Sequence, residues 1–369
     1  RTVYSISDEK DLIFVGYVSF IDPPKATAEQ AVQEAERLGG SIKILTGDNE
    51  LVTARICERV GLEVKGVLMG HEVDTLNDDE LALRAEESTI CARLSPEQKN
   101  RIIMALKNKG HVLGYMGDGI NDAPSLRAAD VGISVENAVD IAREAADIIL
   151  LEAGLDILDT GIIEGRRTFA NTLKYIMMGT SSNFGNVFSV PAAVFIVPFL
   201  PMRPVQILLN NLLYDFAQVT IPTDRVDDDQ IAKPRRWNID FIRNFMVTFG
   251  PISSVFDILI FAVLLRVFNA DKAMFQTGWF LQSLATQTLV IHVIRSRHGF
   301  LKSRASIPLT VSTLSIVAIG LVIPYSRLAG FFGLVPLPPA VLGVIIPVIA
   351  LYLAVVGAVK GWFYRKFDE

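Results

Sequence analysis

The sequence predicts two modules: an α/β domain on a parallel sheet over residues 1–156, then an all-α domain of a stalk helix and six membrane spans over residues 157–369. Three observations predict it. The chain is 50% hydrophobic with a mean hydropathy of +0.37, and the excess lies almost entirely after Ile176, where long apolar runs alternate with short basic loops. Before that point short apolar runs alternate with segments of helical spacing, the pattern of a parallel sheet covered on both faces. One such run, Leu113-Gly-Tyr-Met116, ends in a glycine-flanked pair of carboxylates, Asp118 and Asp122. Charge presented at the carboxyl end of a strand is where α/β sheets bind ligands.

The elements follow in order. Leu12–Phe20 reads as a buried strand and Asp22-Pro-Pro-Lys25 as a turn, because the residue before a proline avoids helix. Ala26–Leu38 has helical spacing and stops at Gly39-Gly40. Ser41–Leu45 is a strand running into Thr46-Gly47-Asp48, and Glu50–Val60 a helix closed by Gly61. Glu63–Leu76 has no clear pattern. Asp78–Glu87 is a helix, Ile90–Ala92 a strand, and Pro96–Lys109 a helix with its proline in the first turn. After the strand ending at Gly117 come a helix over Asn121–Ala129, a strand over Val131–Ile133, a helix from Glu136 and a strand over Asp147–Leu151.

The net charge of −5 is mild and gives no reason to expect nucleic acid as a partner. Cys57 and Cys91 read as small core residues in a reducing compartment. No signal peptide is visible, and a first residue of Arg1 suggests a piece of a longer protein.

Thr46 and Gly47 close one strand, Asp118 and Asp122 follow another, and Lys99 lies on a helix between them. A hydroxyl with backbone amides, one ammonium and a carboxylate pair suit a phosphoryl group and its Mg²⁺. Thr46-Gly-Asp-Asn49, Ala92-Arg-Leu-Ser-Pro-Glu-Gln-Lys99 and Gly117-Asp-Gly-Ile-Asn-Asp-Ala-Pro124 resemble the phosphorylation domain of P-type cation-transporting ATPases, which has the haloacid dehalogenase-like fold. Asp22-Pro-Pro-Lys25 resembles the family's hinge. The resemblance implies Mg²⁺ and ATP as cofactors. It implies that Thr46, Gly47 and Lys99 contact the phosphoryl group and that Asn121 orients phosphate. Asp118 and Asp122 would belong to the catalytic Mg²⁺ site, with Asp48, Asp22 and Arg93 on the nucleotide side. The family's nucleophilic motif, Asp-Lys-Thr-Gly-Thr, does not occur in this sequence. The resemblance therefore implies a C-terminal portion, inactive alone, whose partner is an N-terminal part with nucleotide-binding and actuator domains and four further spans.

Ile157–Tyr175 reads as a stalk helix. The spans are Ile176–Val197, Val205–Ile221, Phe245–Val267, Gly278–Ile294, Ile307–Pro324 and Pro339–Val359. Lys and Arg crowd the loops on the side of the α/β domain, which places it and both chain ends in the cytosol. Trp279 and Trp362 are expected at the membrane interface. Asn183 and Asn186 share one helical face in the first span, as do Asn211 and Asp215 in the second. Facing each other, they would form an oxygen-rich site for a transported divalent cation. Asp257, Gln282, Gln287 and His292 read as packing or helix-end residues. Asn183-Phe-Gly-Asn-Val-Phe-Ser189, Asn210-Asn-Leu-Leu-Tyr-Asp215 and Lys233-Pro-Arg-Arg-Trp237 resemble the magnesium-transporting branch, so ATP-driven Mg²⁺ import through an aspartyl-phosphate is the expected function. A calcium or other cation pump, or a non-enzymatic membrane subunit, are the alternatives.

Overall fold

The computed structural model describes residues 10, 12–18, 24–151, 154–299 and 302–367. The chain falls into two compact units, Arg1–Thr160 and Gly161–Glu369.

In the first unit α1 (Ala28–Arg37) ends where Gly39 takes a left-handed φ of 78°. β1 (Ile44–Leu45) leads to α2 (Glu50–Arg59), whose first turn is capped by the Asn49 side chain accepting from Leu51 N at 2.8 Å. The segment without a sequence pattern holds β2 (Val67–Met69) and α3 (Gly70–Val73), each too short to show a period. α4 (Asp78–Glu87) and α5 (Pro96–Asn108) both begin with capping boxes, Asn77 with Glu80 and Ser95 with Gln98. β3 (Ile90–Ala92), lying between them in the chain, is wholly buried. β4 (Gly114–Met116), a 3₁₀ turn over Ile120–Asp122, α6 (Ala123–Ala128), β5 (Val131–Val135), α7 (Asp140–Ala145) and β6 (Ile148–Leu150) follow.

All strand pairs are parallel, as expected, but they form two three-stranded sheets, ordered β1-β3-β2 and β4-β5-β6. Ile90 of β3 sits opposite Ile44 and Val67, and Ile133 of β5 opposite Met116 and Ile148. Cys57 and Cys91 are free thiols in the core around β3.

The expected strand over Leu12–Phe20 is not formed by its described part. Residues 12–18 have no strand pairing, and their side chains stand in solvent, Val15 being 96% exposed. An apolar run becomes a buried strand only where a sheet edge takes its N–H and C=O groups and a second layer covers its face. No described strand pairs with it. Ser19, Phe20 and Asp22 lie outside the described residues.

The second unit is helical. α8 (Asp156–Ile196) joins the expected stalk and first span in one continuous helix. It is followed by α9 (Pro204–Gln218), α10 (Asp228–Ile231), α11 (Ile239–Arg266), α12 (Lys272–Leu289), α13 (Ile291–Ile294), α14 (Ile307–Val322), α15 (Ala329–Phe332) and α16 (Pro339–Phe367). Three helical segments among the described residues, Ile239–Arg266, Ile307–Tyr325 and Pro339–Phe367, are long and apolar enough to cross a membrane by themselves. α9, with 15 residues, is too short to do so, and α12 carries buried polar residues that lower its hydropathy. The core holds Phe245, Phe261, Phe275, Phe280 and Phe363, all fully buried.

α8 and α11 touch backbone to backbone. A Cβ on Gly250 would stand 3.1 Å from Ser181 O and 3.2 Å from Gly185 N, and one on Gly185 would stand 3.0 Å from Gly250 O. Small residues are what let two membrane helices approach this closely. Trp279 is buried within the bundle, and its indole N–H donates to Asp257 Oδ1 at 3.3 Å. Trp362 is half-exposed beneath Lys366, whose Nζ lies 5.0 Å from the indole ring.

Candidate phosphoryl site and polar clusters of the helical unit

The loop after β1 is fastened to the loop after β3. Thr46 N–H donates to Cys91 O (2.9 Å), Leu94 N–H to Thr46 O (3.0 Å) and Arg93 N–H to Asp48 O (3.0 Å). Thr46 Oγ1 accepts from Asp48 N at 3.0 Å and donates to Asp48 Oδ2 at 3.1 Å, a closed turn that leaves Gly47 and Asp48 exposed. Arg93 holds a left-handed φ of 53°, and its guanidinium grips Glu50 at 2.8 and 3.3 Å. That fork fixes the first turn of α2 and uses two of the guanidinium's N–H donors.

Lys99, in the first turns of α5, reaches Asp122 Oδ1 at 2.9 Å. Tyr115 OH donates to the same oxygen at 2.7 Å, and Gly119 N–H to Oδ2 at 3.3 Å. The Asp122 side chain packs against the Gly117 backbone, where a Cβ would stand only 2.5 Å from Asp122 Cβ. Burial pushes the Asp122 carboxyl up, but the hydrogen bonds from Lys99 and Tyr115 outweigh it and hold the group below the usual carboxylate range. Burial and the neighbouring carboxylate push the Tyr115 phenol up. Both therefore keep their roles at neutral pH, Asp122 as acceptor and Tyr115 as donor.

Asp118 is exposed one residue beyond Gly117, and its carbonyl accepts from Val139 N at 3.2 Å. Asn121 is exposed in the 3₁₀ turn. The structure thus divides the two carboxylates. Asp122 is occupied with Lys99, Tyr115 and Gly119, and Asp118 faces solvent. The open Asp118 carboxylate is a hard oxygen ligand of the kind Mg²⁺ takes, and the anchored Lys99 ammonium suits a phosphate oxygen; no contact among the described residues joins the Thr46 turn to them. Asp22 lies outside the described residues.

In the helical unit Asn183, Asn211 and Asp215 are exposed and Asn186 half-buried. No hydrogen bond among the described residues joins the Asn183–Asn186 pair to the Asn211–Asp215 pair. α9 buries its other face, Gln206, Asn210, Tyr214 and Gln218. Asn211 and Asp215 thus lie on the exposed face of α9. Helical periodicity identifies which residues share a face, but α9 carries polar residues on two faces, and periodicity does not say which one turns inward.

Sequence reasoning missed three clusters. Asp224, fully buried, takes Lys174 Nζ at 2.7 Å and Arg295 Nε at 2.8 Å, and its Oδ1 accepts from Ser306 N at 3.0 Å. Asp227, Asp229 and His298 bring their ligand atoms within 4.8 Å of one another, a set hinted at only by the acidic run at Asp227–Asp229. Asp257 accepts from Ser189 Oγ at 2.5 Å and from Trp279.

Two family models match the chain: a haloacid dehalogenase-like hydrolase over residues 5–130 and the C-terminus of cation transporting ATPases over residues 199–362. The chain is 52% identical, over 99% of its length, to "Magnesium-transporting ATPase, P-type 1" of Escherichia coli K12 and to the protein of that name in Salmonella typhimurium LT2. It is 30% identical over 72% of its length to "Calcium-transporting ATPase 1" of Bacillus cereus, covering 31% of that protein. It spans 41% of the length of the two magnesium-transporting relatives. A parallel-stranded unit with Lys99 and Asp122 beside its strand ends, an apolar helical unit after it and these matches agree: the chain belongs to the P-type cation-transporting ATPases.

Proposed function

We propose that the chain is the C-terminal portion of an ATP-driven Mg²⁺ importer of a bacterial plasma membrane, working through an aspartyl-phosphate. The observation that carries this reading is the Lys99–Asp122 contact at 2.9 Å, which joins the loop after β4 to the start of α5. It fixes an ammonium on the loop that also carries the exposed Asp118 carboxylate, and a transferring phosphoryl group needs its charge neutralised.

Thr46 Oγ1 and the Gly47 amide would hold phosphate oxygens, Lys99 would neutralise developing charge, and Asn121 would orient the group. Asp118 would be the catalytic Mg²⁺ ligand, with Asp122 fixing Lys99 and offering its remaining lone pair. Asp48, Asp22 and Arg93 would lie on the nucleotide side. Bound Mg²⁺ supplies Lewis-acid charge stabilisation to such a transfer. ATP, the nucleophilic aspartate, the actuator domain and four further spans would come from the remaining part of the pump. Asn183, Asn186, Asn211 and Asp215 would contribute the transported ion's ligands once that part covers their exposed faces. The basic loops, including Arg166, Arg167, Arg235, Arg236, Arg365 and Lys366, support a cytosolic side for the first unit and both chain ends. The domain limits 1–156 and 157–369 belong to the same proposal.

Mg²⁺ is favoured over Ca²⁺ because 52% identity over nearly the whole chain exceeds 30% over 72% of it. The test is Asp118→Asn in the full-length protein. Phosphoenzyme formation from ATP should fall by orders of magnitude, since metal-borne charge stabilisation supplies several kcal/mol. A normal rate would remove Asp118 from the metal site.

A further inference from the structure

We infer that Asp257 is a proton-binding site inside the helical bundle, a neutral carboxylic acid held where α8 crosses α11. Asp257 is 5% exposed and lies in the apolar middle of a membrane-length helix. Its two oxygens meet only neutral partners. Ser189 Oγ on α8 lies 2.5 Å from Oδ2, and Trp279 Nε1 on α12 lies 3.3 Å from Oδ1.

No Lys, Arg or His forms an ion pair with Asp257 among the described residues. The titratable group facing it from α16 is Tyr352, packed on the ring of the adjacent Phe256 at 5.4 Å. From α12 comes Gln282, 1% exposed, which faces the carboxyl but falls short of hydrogen-bond geometry, so its amide oxygen and nitrogen both lack a partner. A carboxylate without a cation in such surroundings carries an uncompensated desolvation penalty, which binding one proton from water removes. The chemistry balances as a carboxylate plus a proton giving a carboxylic acid, whose O–H is offered to Ser189 Oγ while the serine hydroxyl turns its own hydrogen, now donated to Oδ2, away from it. A buried amide with both atoms unpaired, beside a carboxyl without a counter-ion, marks a cluster one hydrogen bond short of complete.

The position gives the site its sensitivity. Gly185 and Ser189 are one helical turn apart on α8, and Gly250, Ser254 and Asp257 follow the same seam on α11, where Ser254 Oγ donates to Gly185 O at 2.8 Å. α8 can leave α11 only by breaking the Ser189 contact and exposing the acid. Proton occupancy is thereby coupled to that helix contact. This differs from the Asp215 proposal in helix, face and ligand.

The test uses the full-length protein reconstituted in lipid vesicles at neutral pH, with carbon-13 in its aspartate carboxyls and nitrogen-15 in its tryptophans. Solid-state NMR should find a carboxyl carbon in dipolar contact with the Trp279 indole nitrogen at the chemical shift of a protonated acid. The infrared C=O band of a protonated carboxyl should disappear in Asp257→Asn and move in Ser189→Ala. An ionised shift at the carbon beside Trp279 overturns the inference, and this wild-type measurement decides even if Asp257→Asn fails to insert. A cation bound there would also give the ionised shift.

Discussion

Arg295 Nε lies 2.8 Å from Asp224 Oδ2 with both side chains out of solvent, and Lys174 Nζ meets the same oxygen at 2.7 Å. One carboxylate thus ties the end of the α9 segment to α8, to the residue after α13 and, through Ser306 N, to the first turn of α14. Removing one member of such a buried set leaves uncompensated charge and typically costs ~3–5 kcal/mol. Asp224→Asn should therefore lower the melting temperature of the detergent-solubilised protein by several degrees. Asp229→Asn, at an exposed position, should change it little. Equal shifts would remove the special role of Asp224.

The same carboxyl sets an acid limit. Burial pushes Asp224 up, but Arg295 and Lys174 outweigh it and hold it below its ordinary value. Its contribution is therefore fully present above the unfolded-state value, about 4, and is lost as pH falls through the lower folded value. Melting measured from neutral pH down to about 3 should show a loss for the wild type that Asp224→Asn lacks. Parallel curves would contradict the assignment.

Gly117→Ala should act through Asp122. The added methyl would occupy the place of the Asp122 side chain, so the Lys99 contact must break. Misplacement by about 1 Å commonly costs on the order of 100-fold in rate. Gly119→Ala meets Asp122 Oδ2 at 3.4 Å and should be much milder. Phosphoenzyme formation by the two full-length variants measures the contrast, and comparable losses would mean that both glycines serve backbone conformation instead.

Burial pushes the Cys91 thiol up to about 11, and raises Cys57 as well. At pH 8 only about one Cys91 in 1,000 is thiolate, so iodoacetamide should label it only on unfolding. Rapid labelling of native protein, read by mass spectrometry, would place Cys91 outside the core.

Asp215→Asn in the full-length protein should leave insertion and abundance unchanged, because the amide is isosteric and less costly in a bilayer. Growth of a magnesium-dependent strain at low Mg²⁺ should fail, and Asn186→Ala should be intermediate. Normal growth with Asp215→Asn would leave the ion ligands unassigned.

Much of this was legible in the sequence, for identifiable reasons. Asp78–Glu87 and Ile90–Ala92 form the elements their residues announce, because Asn77 and Glu80 cap the helix and a three-residue apolar run needs only a buried slot. Lys99 and Asp122 stand out in the sequence as strand-end residues, but their direct contact does not, because spacing along the chain gives no distance between two elements. Nor does the Asp224 cluster, because Lys174 and Arg295 look like ordinary loop-side cations until three distant segments converge. Asp257 had no local partner to betray it, since Ser189 is 68 residues away and Trp279 is 22. α3, with four residues, is shorter than any period that could reveal it.

The exposed run at residues 12–18 has a practical consequence. Leu12, Ile13, Phe14, Val15, Tyr17 and Val18 form a β-prone ribbon without charge, and β1 and β4 each offer a free parallel edge among the described strands. Such a ribbon and such an edge on neighbouring molecules are mutually adhesive. Handled as the 369-residue chain, the protein should self-associate through this ribbon, and Phe14→Lys or Tyr17→Lys should keep it dispersed.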